Sequence, residues 1–343
     1  MAKLIDHIAH LSASADFAAL DAALAEALLD LLAPDAVTFF GMLGETDDRR
    51  WFERVLLRPG APARVSEPLW LVLADLPGLS DAPQRLECLR TRETTTALPG
   101  AAGTPYRTLL PLQSNEQTVA VIELHSAAPL AVPVQAVFAS LQRAYRNSYS
   151  LLDASGRDGL TGLHNRQAFE AIFPAAAQGT DQPAATGAAA VPVERRNSSS
   201  ADAYWLGLFN IDHVAQVNAA HGHLVGDAVL VQTARLLAGT LRFYDRTYRL
   251  GGSEFVLLLR CPGKAAAGAA LERLRARFAA TIFAPAPVLT ASAGFTALRP
   301  GDSPGAALAR ADRALFEAKA RGRNRICCDA DLPEPDNNGN ALP

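Results

Sequence analysis

The chain has 343 residues, 49% of them hydrophobic, and its formal net charge is −3. This length and composition predict a globular protein of two domains, and the small net charge argues against nucleic-acid and membrane-surface partners. The four cysteines lack metal-ligand spacing, and no apolar run approaches the roughly 18 residues of a membrane span. The first residues also lack a signal-peptide pattern, so we expect reduced thiols, no membrane partner and a cytoplasmic location.

Residues 1–133 predict an α+β domain. Apolar spacing indicates two helices and then three strands, namely Leu4–Leu11, Phe17–Leu32, Ala36–Leu43, Tyr106–Leu112 and Val119–His125. Asp16 is placed to cap the second helix. This order of elements resembles that of a GAF domain, a family of sensor modules. No His, Cys or Asp cluster identifies a ligand, so a small-molecule sensor and a dimerising platform with an empty pocket both remain open.

Residues 134–154 predict a helical linker between the domains. Apolar or aromatic residues recur at steps of three and four, at positions 134, 138, 141, 145, 149 and 152. Such a seam suits parallel pairing with a second copy, which would make the protein a homodimer. The same pattern also fits a single helix that packs on its own domain.

Residues 155–330 contain five short motifs in a fixed order. They are Asp158–Arg166 (DGLTGLHNR), Asn210–Asp212 (NID), Asn218–Asp227 (NAAHGHLVGD), Arg249–Phe255 (RLGGSEF) and Ala318–Arg325 (AKARGRNR). Together they resemble the GGDEF family, the diguanylate cyclases. The resemblance implies an α/β domain whose central sheet is flanked by helices, as in nucleotide cyclases. Composition further predicts a flexible insertion over 174–203 and a disordered tail over 331–343.

The pair Gly251-Gly252 lies between two apolar runs and predicts a tight hairpin turn. Glycines at such a tip let the backbone turn and allow a large ligand to approach. Ser253 and Glu254 follow directly after the tip.

The resemblance implies a reaction in which two GTP molecules join into cyclic di-GMP with the help of Mg²⁺, which prefers anionic oxygen ligands. The family supplies two carboxylates for the metal, but here the corresponding residues are Asn210 and Ser253. A family lysine is replaced by Ala215. We therefore expect no catalytic residue, no metal site and no enzyme activity, with Mg²⁺ present only if GTP binding persists. Asp212 and Glu254 are the carboxylates left to rescue a metal site.

By the same resemblance, Asn218 and Asp227 read the guanine edge, and Lys319 and Arg323 contact phosphates from one face of the last helix. With the tip residues Gly251, Gly252, Ser253 and Glu254 they form the nucleotide-binding remnant of an active site. The alternative is structural: the first two residues are helix caps, and the last two belong to a solvated basic turn.

Arg242 and Asp245 match the family's inhibitory Arg-x-x-Asp site, which binds cyclic di-GMP. An arginine fork can bond phosphate or the guanine Hoogsteen edge, and a carboxylate can accept from guanine N–H groups. Without the resemblance, such a pair is usually an ordinary surface ion pair.

Three hypotheses follow. The first is a catalytically inactive GGDEF protein that acts as a cyclic di-GMP effector, with GTP as a second candidate ligand and an unidentified protein as partner. The second is a weak or partner-assisted diguanylate cyclase. The third is a dimerisation module that binds no nucleotide.

Overall fold

The computed structural model describes residues 2–45, 48–66, 68–97, 105–114, 117–130, 133–178, 203–242, 244–284 and 288–333. The chain divides into two compact units, Met1–Ser155 and Gly156–Pro343. None of the helices within these described ranges has the length and apolar character that crossing a bilayer requires.

The first unit is built on an antiparallel sheet with the strand order β3-β2-β1-β6-β5-β4. Its strands are β1 (Ala36–Leu43), β2 (Arg50–Leu57), β3 (Arg64–Val65), β4 (Thr95–Ala97), β5 (Tyr106–Ser114) and β6 (Gln117–Ser126). Its helices are α1 (Ala2–Ser12), α2 (Phe17–Leu32), α3 (Pro83–Thr91) and α4 (Val134–Ser155). The two leading helices and the three predicted strands lie where the sequence predicted them, so the α+β class is confirmed. The GAF assignment stays a prediction.

Helix α2 begins and ends as its sequence predicts. Asp16 has extended backbone angles, and its carboxylate accepts the Ala19 N–H at 2.7 Å, which satisfies one of the free amides of the first turn. At the other end Ala33 has a φ of 51°, a left-handed conformation that terminates the helix just before Pro34.

Helix α4 packs on its own unit, which decides between the two interpretations of its apolar seam. Phe138, Leu141 and Tyr145 are buried in the core beneath α1 and α2, and the other three seam residues pack against the same core. The Tyr145 hydroxyl donates to Asp21 at 2.8 Å, and Asp21 pairs with Arg54 at 2.5 Å. The helix predicted over 134–154 is present, and its seam packs into the first core, which is the second of the two interpretations.

The opposite face of this sheet carries a second, smaller core and a buried carboxylate. The apolar cluster there consists of Trp51, Cys88, Leu109 and Val121. The Arg85 guanidinium lies 3.3 Å above the Phe40 ring and donates to Glu123 at 2.6 Å. Burial opposes ionisation of Glu123, but hydrogen bonds from His125 and Arg85 outweigh it and lower the pKa of Glu123 to about 2.

The second unit is a mixed five-stranded sheet with helices, in the strand order β11-β10-β7-β9-β8. Its strands are β7 (Ala203–Ile211), β8 (Arg246–Gly251), β9 (Glu254–Cys261), β10 (Ala291–Ala297) and β11 (Ile326–Cys328). Its helices are α5 (Arg166–Ala177), α6 (Val214–His221), α7 (His223–Ala238), α8 (Lys264–Ala279) and α9 (Pro304–Ala320). Among these strands β10 and β11 pair in parallel and the other neighbours are antiparallel.

Two predicted segment boundaries need correction. Helix α5 runs through Pro174 to Ala177, so residues 174–177 are not part of an insertion. Residues 179–202 of the predicted insertion lie outside the described residues, and its last residue, Ala203, already belongs to β7. The predicted tail begins inside a short 3-10 turn at Asp329–Asp331, and residues 334–343 lie outside the described range.

Candidate functional site

The Gly-Gly hairpin joins β8 to β9 as predicted. Gly251 and Glu254 form the last pair of the ladder, so Gly252 and Ser253 make the turn. The φ angles of Gly251 and Gly252 are 146° and 54°, which residues with a side chain rarely adopt. A Cβ atom at either glycine would meet nothing within 4 Å, so the tip is open on its outer side.

Arg249 fixes the shape of this tip. Its Nε and Nη2 atoms donate to the Gly252 carbonyl oxygen at 3.1 and 2.9 Å. Its Nη1 atom donates to both oxygens of Asp158 at 2.8 and 3.1 Å. Burial opposes ionisation of Asp158, but hydrogen bonds from Thr161 and Arg249 outweigh it and lower the pKa of Asp158. The first motif of the second unit is thereby joined to the hairpin.

Asn210 and Ser253, the two positions where the resemblance implied carboxylates, contact each other directly. Asn210 is 7% exposed at the end of β7, and its Nδ2 atom donates to Ser253 Oγ at 3.1 Å. The same nitrogen lies 3.4 Å from the Ser253 carbonyl oxygen. The strand end and the hairpin tip are therefore joined by two neutral side chains.

Asp212 serves the fold rather than an open site. It is 2% exposed, and its carboxylate accepts from Thr290 Oγ1 at 2.7 Å, Ser292 Oγ at 2.8 Å and the Asn324 N–H at 3.2 Å. Glu254 is exposed on β9, opposite Asn210 in the ladder. Within the described ranges, no three His, Cys, Asp or Glu side chains come together as a metal site would require.

Asn218 and Asp227 lie on neighbouring helices, and neither caps one. The residue before α6 is His213, and Gly222 separates α6 from α7. Asn218 Oδ1 is buried without a hydrogen-bond partner among the described residues, and it lies against Gly226, where a Cβ atom would overlap it. Asp227 is exposed. The cap interpretation is therefore wrong for both residues.

Lys319 and Arg323 do not share a helix face, contrary to the prediction. Helix α9 ends at Ala320, and Arg323 lies in the following turn with a φ of 60°. The next amide, of Asn324, donates to Asp212, which ties this turn to the end of β7. Neither side chain has an ion pair in the part of the chain that the structure describes, whereas Arg321 pairs with Glu317.

Asp245 holds its own turn in place. One carboxylate oxygen accepts the Arg242 N–H at 3.0 Å, and the other accepts the Arg260 N–H of β9 at 3.1 Å. Burial raises the pKa of Asp245, and these two backbone hydrogen bonds offset it only in part. The Arg242 side chain is exposed and does not pair with this carboxylate as an ordinary surface ion pair would.

Residues 192–325 match the family described as "Diguanylate cyclase, GGDEF domain". The chain is 38% identical over 172 residues to diguanylate cyclase DgcP of Pseudomonas aeruginosa, a match that covers 49% of this chain and 23% of that protein. The chain contains a GGDEF domain at residues 192–325. It is also 32% identical over 180 residues to diguanylate cyclase DgcZ of Escherichia coli, covering 52% of this chain and 54% of DgcZ.

Among solved structures, the chain is similar to diguanylate cyclase SiaD of Pseudomonas aeruginosa, crystallised with its activator SiaC. The identity is 34%, the match covers 57% of this chain and 70% of that chain, and the TM-score is 0.44. The chain thus spans about half or less of the length of the curated relatives named here.

A second arginine, Arg273, acts on the charge of Asp245, and the sequence analysis did not identify it. Arg273 of α8 attracts the Asp245 carboxylate together with Arg242. Arg273 is exposed, and among the described residues its guanidinium makes no hydrogen bond. No local motif connects positions 245 and 273, so only the packing of α8 beside the sheet reveals this residue.

Proposed function

We propose that this GGDEF protein binds cyclic di-GMP as an effector and does not synthesise it. The observation that carries the proposal is the hydrogen bond between Asn210 and Ser253 at the two places where the family's metal carboxylates are expected. A neutral amide and a neutral hydroxyl that already satisfy each other are poor ligands for Mg²⁺, which seeks anionic oxygen.

The remaining carboxylates do not restore the metal site. Asp212 already accepts three hydrogen bonds in a buried position, so turning it toward a cation would leave buried donors without partners. Glu254 alone offers one exposed carboxylate. The residues present therefore do not fit the family's divalent ion, and no catalytic step through a metal follows from them.

The turn at Arg242 and Asp245 offers the chemistry that cyclic di-GMP requires. Each Asp245 oxygen accepts one backbone N–H, and a carboxylate oxygen has a second lone pair for the N1–H and N2–H groups of guanine. The exposed guanidinium groups of Arg242 and Arg273 can reach phosphate oxygens or the Hoogsteen edge. A base acceptor and an exposed arginine therefore belong to one short turn, and Arg273 adds positive charge near its carboxylate.

The test is a calorimetric titration of the full chain with cyclic di-GMP. We expect saturable binding by the wild type and affinity at least about tenfold lower in Arg242→Ala, because a hydrogen bond to a charged group contributes about 1.5–3 kcal/mol. Arg277→Ala is the control, since Arg277 is another exposed arginine of α8 and should leave binding unchanged. No heat with the wild type, or equal affinity in Arg242→Ala, would reject the proposal.

A second candidate function is favoured by the names of the relatives, since DgcP and DgcZ are diguanylate cyclases. A weak or partner-assisted cyclase would form cyclic di-GMP from GTP, and replacing Asn210 and Ser253 by aspartate would raise the yield. A GAF-like sensor role for the first unit, homodimer formation and a protein partner are further parts of the proposal. A domain that binds no nucleotide at all would show no thermal shift with GTP, GDP or cyclic di-GMP.

A further inference from the structure

The edge formed by the end of β7 and the hairpin tip carries an inference separate from the cyclic di-GMP turn. Two carboxylates at positions 210 and 253 would repel each other, and a cation between them would be needed to hold them together. Here the Asn210 amide donates to Ser253 Oγ at 3.1 Å, and this hydrogen bond joins the strand end to the tip.

This arrangement leaves a hydrogen-bond donor for an anion. Because Ser253 Oγ accepts the proton of Asn210, its own hydroxyl hydrogen is left to donate to another group. Ser253 is half-buried at the open side of the turn, where Gly251 and Gly252 present no side chain. A phosphate oxygen at this tip would meet a donor in place of a carboxylate.

Of the carboxylates at this edge Glu254 is exposed, and it is outnumbered by the two cations Lys319 and Arg323. Asp158 is neutralised by Arg249, and Asp212 is buried within its hydrogen bonds. The turn after α9 is tied to Asp212 through Asn324, and this places Lys319 and Arg323 on an element anchored at the end of β7. Among the described residues neither cation has an ion-pair partner.

We propose that this edge binds a guanine nucleotide without any divalent cation. The hydrogen bond from Asn210 to Ser253 joins the strand end to the tip, and Lys319 and Arg323 would compensate the phosphate charge directly. Asn218 and Asp227 are the groups for the base, with the buried Oδ1 of Asn218 set against Gly226.

The test is a titration of the full chain with GTP, once in excess EDTA and once in millimolar Mg²⁺. We expect the affinity in EDTA to equal that in Mg²⁺ within about twofold, or to exceed it, because free GTP carries more negative charge than its magnesium complex. Binding that requires Mg²⁺, binding at least about tenfold tighter with Mg²⁺, or no binding in either buffer would overturn the proposal.

Two variants sharpen the result. In Asn210→Asp/Ser253→Asp the carboxylates return, so we expect GTP affinity in EDTA to fall at least about tenfold and Mg²⁺ to restore it. Should this variant fail to fold, Lys319→Ala changes one side chain at the end of α9 and should weaken GTP in EDTA about tenfold. Equal affinity in a folded variant contradicts the proposal. The cyclic di-GMP titration uses another ligand and another turn, so the two proposals can fail separately.

Discussion

At Gly226 the absence of a side chain determines the position of a neighbouring residue. Asn218 Oδ1 occupies the space in which a Cβ atom of residue 226 would lie. The obstacle is the end of a flexible side chain rather than backbone. A methyl group at this position would therefore displace the asparagine and leave the two helices in place.

Gly226→Ala should lower affinity for GTP about tenfold without lowering the melting temperature. Alanine is favoured over glycine in a helix by about 1 kcal/mol, which offsets the cost of moving Asn218. Gly305→Ala is the matched control, since a Cβ atom there meets nothing within 4 Å. Titration calorimetry and a thermal melt of both variants check this. Unchanged GTP affinity in Gly226→Ala would show that Asn218 does not contact the nucleotide.

Glu123 makes the first unit sensitive to acid. Its pKa is about 2 in the folded state against 4.5 for an ordinary glutamate. Because the folded pKa is depressed, the carboxylate stabilises the fold above pH 4.5, and this contribution is lost as pH falls from 4.5 toward 2. Glu123→Gln should therefore unfold at lower urea concentration than the wild type at pH 7, with a smaller difference at pH 3.

The control for this prediction is Glu87→Gln, which changes an exposed glutamate of α3. Urea unfolding of Glu87→Gln should follow the wild type at both pH values. If the urea concentration of unfolding differs between Glu123→Gln and the wild type by the same amount at pH 7 and at pH 3, the substitution removes packing rather than charge.

At the scale of elements, β10 and α9 make the closest backbone approach found at any described glycine of the second unit. A Cβ atom at Gly294 would overlap the Leu315 nitrogen and the Ala311 carbonyl oxygen. Four of the five buried residues of α9 are alanines, Ala307, Ala311, Ala314 and Ala318, and the fifth is Leu315. This helix carries the turn with Lys319 and Arg323, so its close packing also positions the candidate site.

Gly294→Ala should destabilise the protein by about 3 kcal/mol, because the backbones of a strand and a helix must separate to admit the methyl group. Gly268→Ala, whose Cβ atom would meet the Phe295 ring at an ordinary 3.5 Å, should cost far less. Urea unfolding of the two variants measures the difference. Equal stability of Gly294→Ala and Gly268→Ala would contradict the close approach of β10 and α9 at Gly294.

Helix α4 shows what periodicity can and cannot predict. The seam from Val134 to Leu152 correctly predicted a helix with one apolar face, but such a face fits a second copy as well as the chain's own core. The partner depends on contacts distant in sequence, such as that between Tyr145 and Asp21, which lie 124 residues apart. Spacing within one segment contains no information on such contacts.

At the scale of the whole molecule, the motifs predicted the second unit far better than they predicted its contacts. The hairpin at Gly251 and Gly252 and the strand that ends before Asp212 lie where the sequence placed them. The hydrogen bond from Arg249 to Asp158 joins residues 91 positions apart, and that from Asn210 to Ser253 joins residues 43 positions apart. The sequence shows which groups are present, but only the folded sheet shows that they satisfy one another.

The most direct test of the central claim is the formation of cyclic di-GMP from GTP by the purified full chain, with Mg²⁺ or Mn²⁺ and an active diguanylate cyclase as positive control. A site whose amide and hydroxyl bond each other should hold no metal for this reaction, so we expect no product above background. Sustained synthesis of cyclic di-GMP by the wild-type chain would contradict the account.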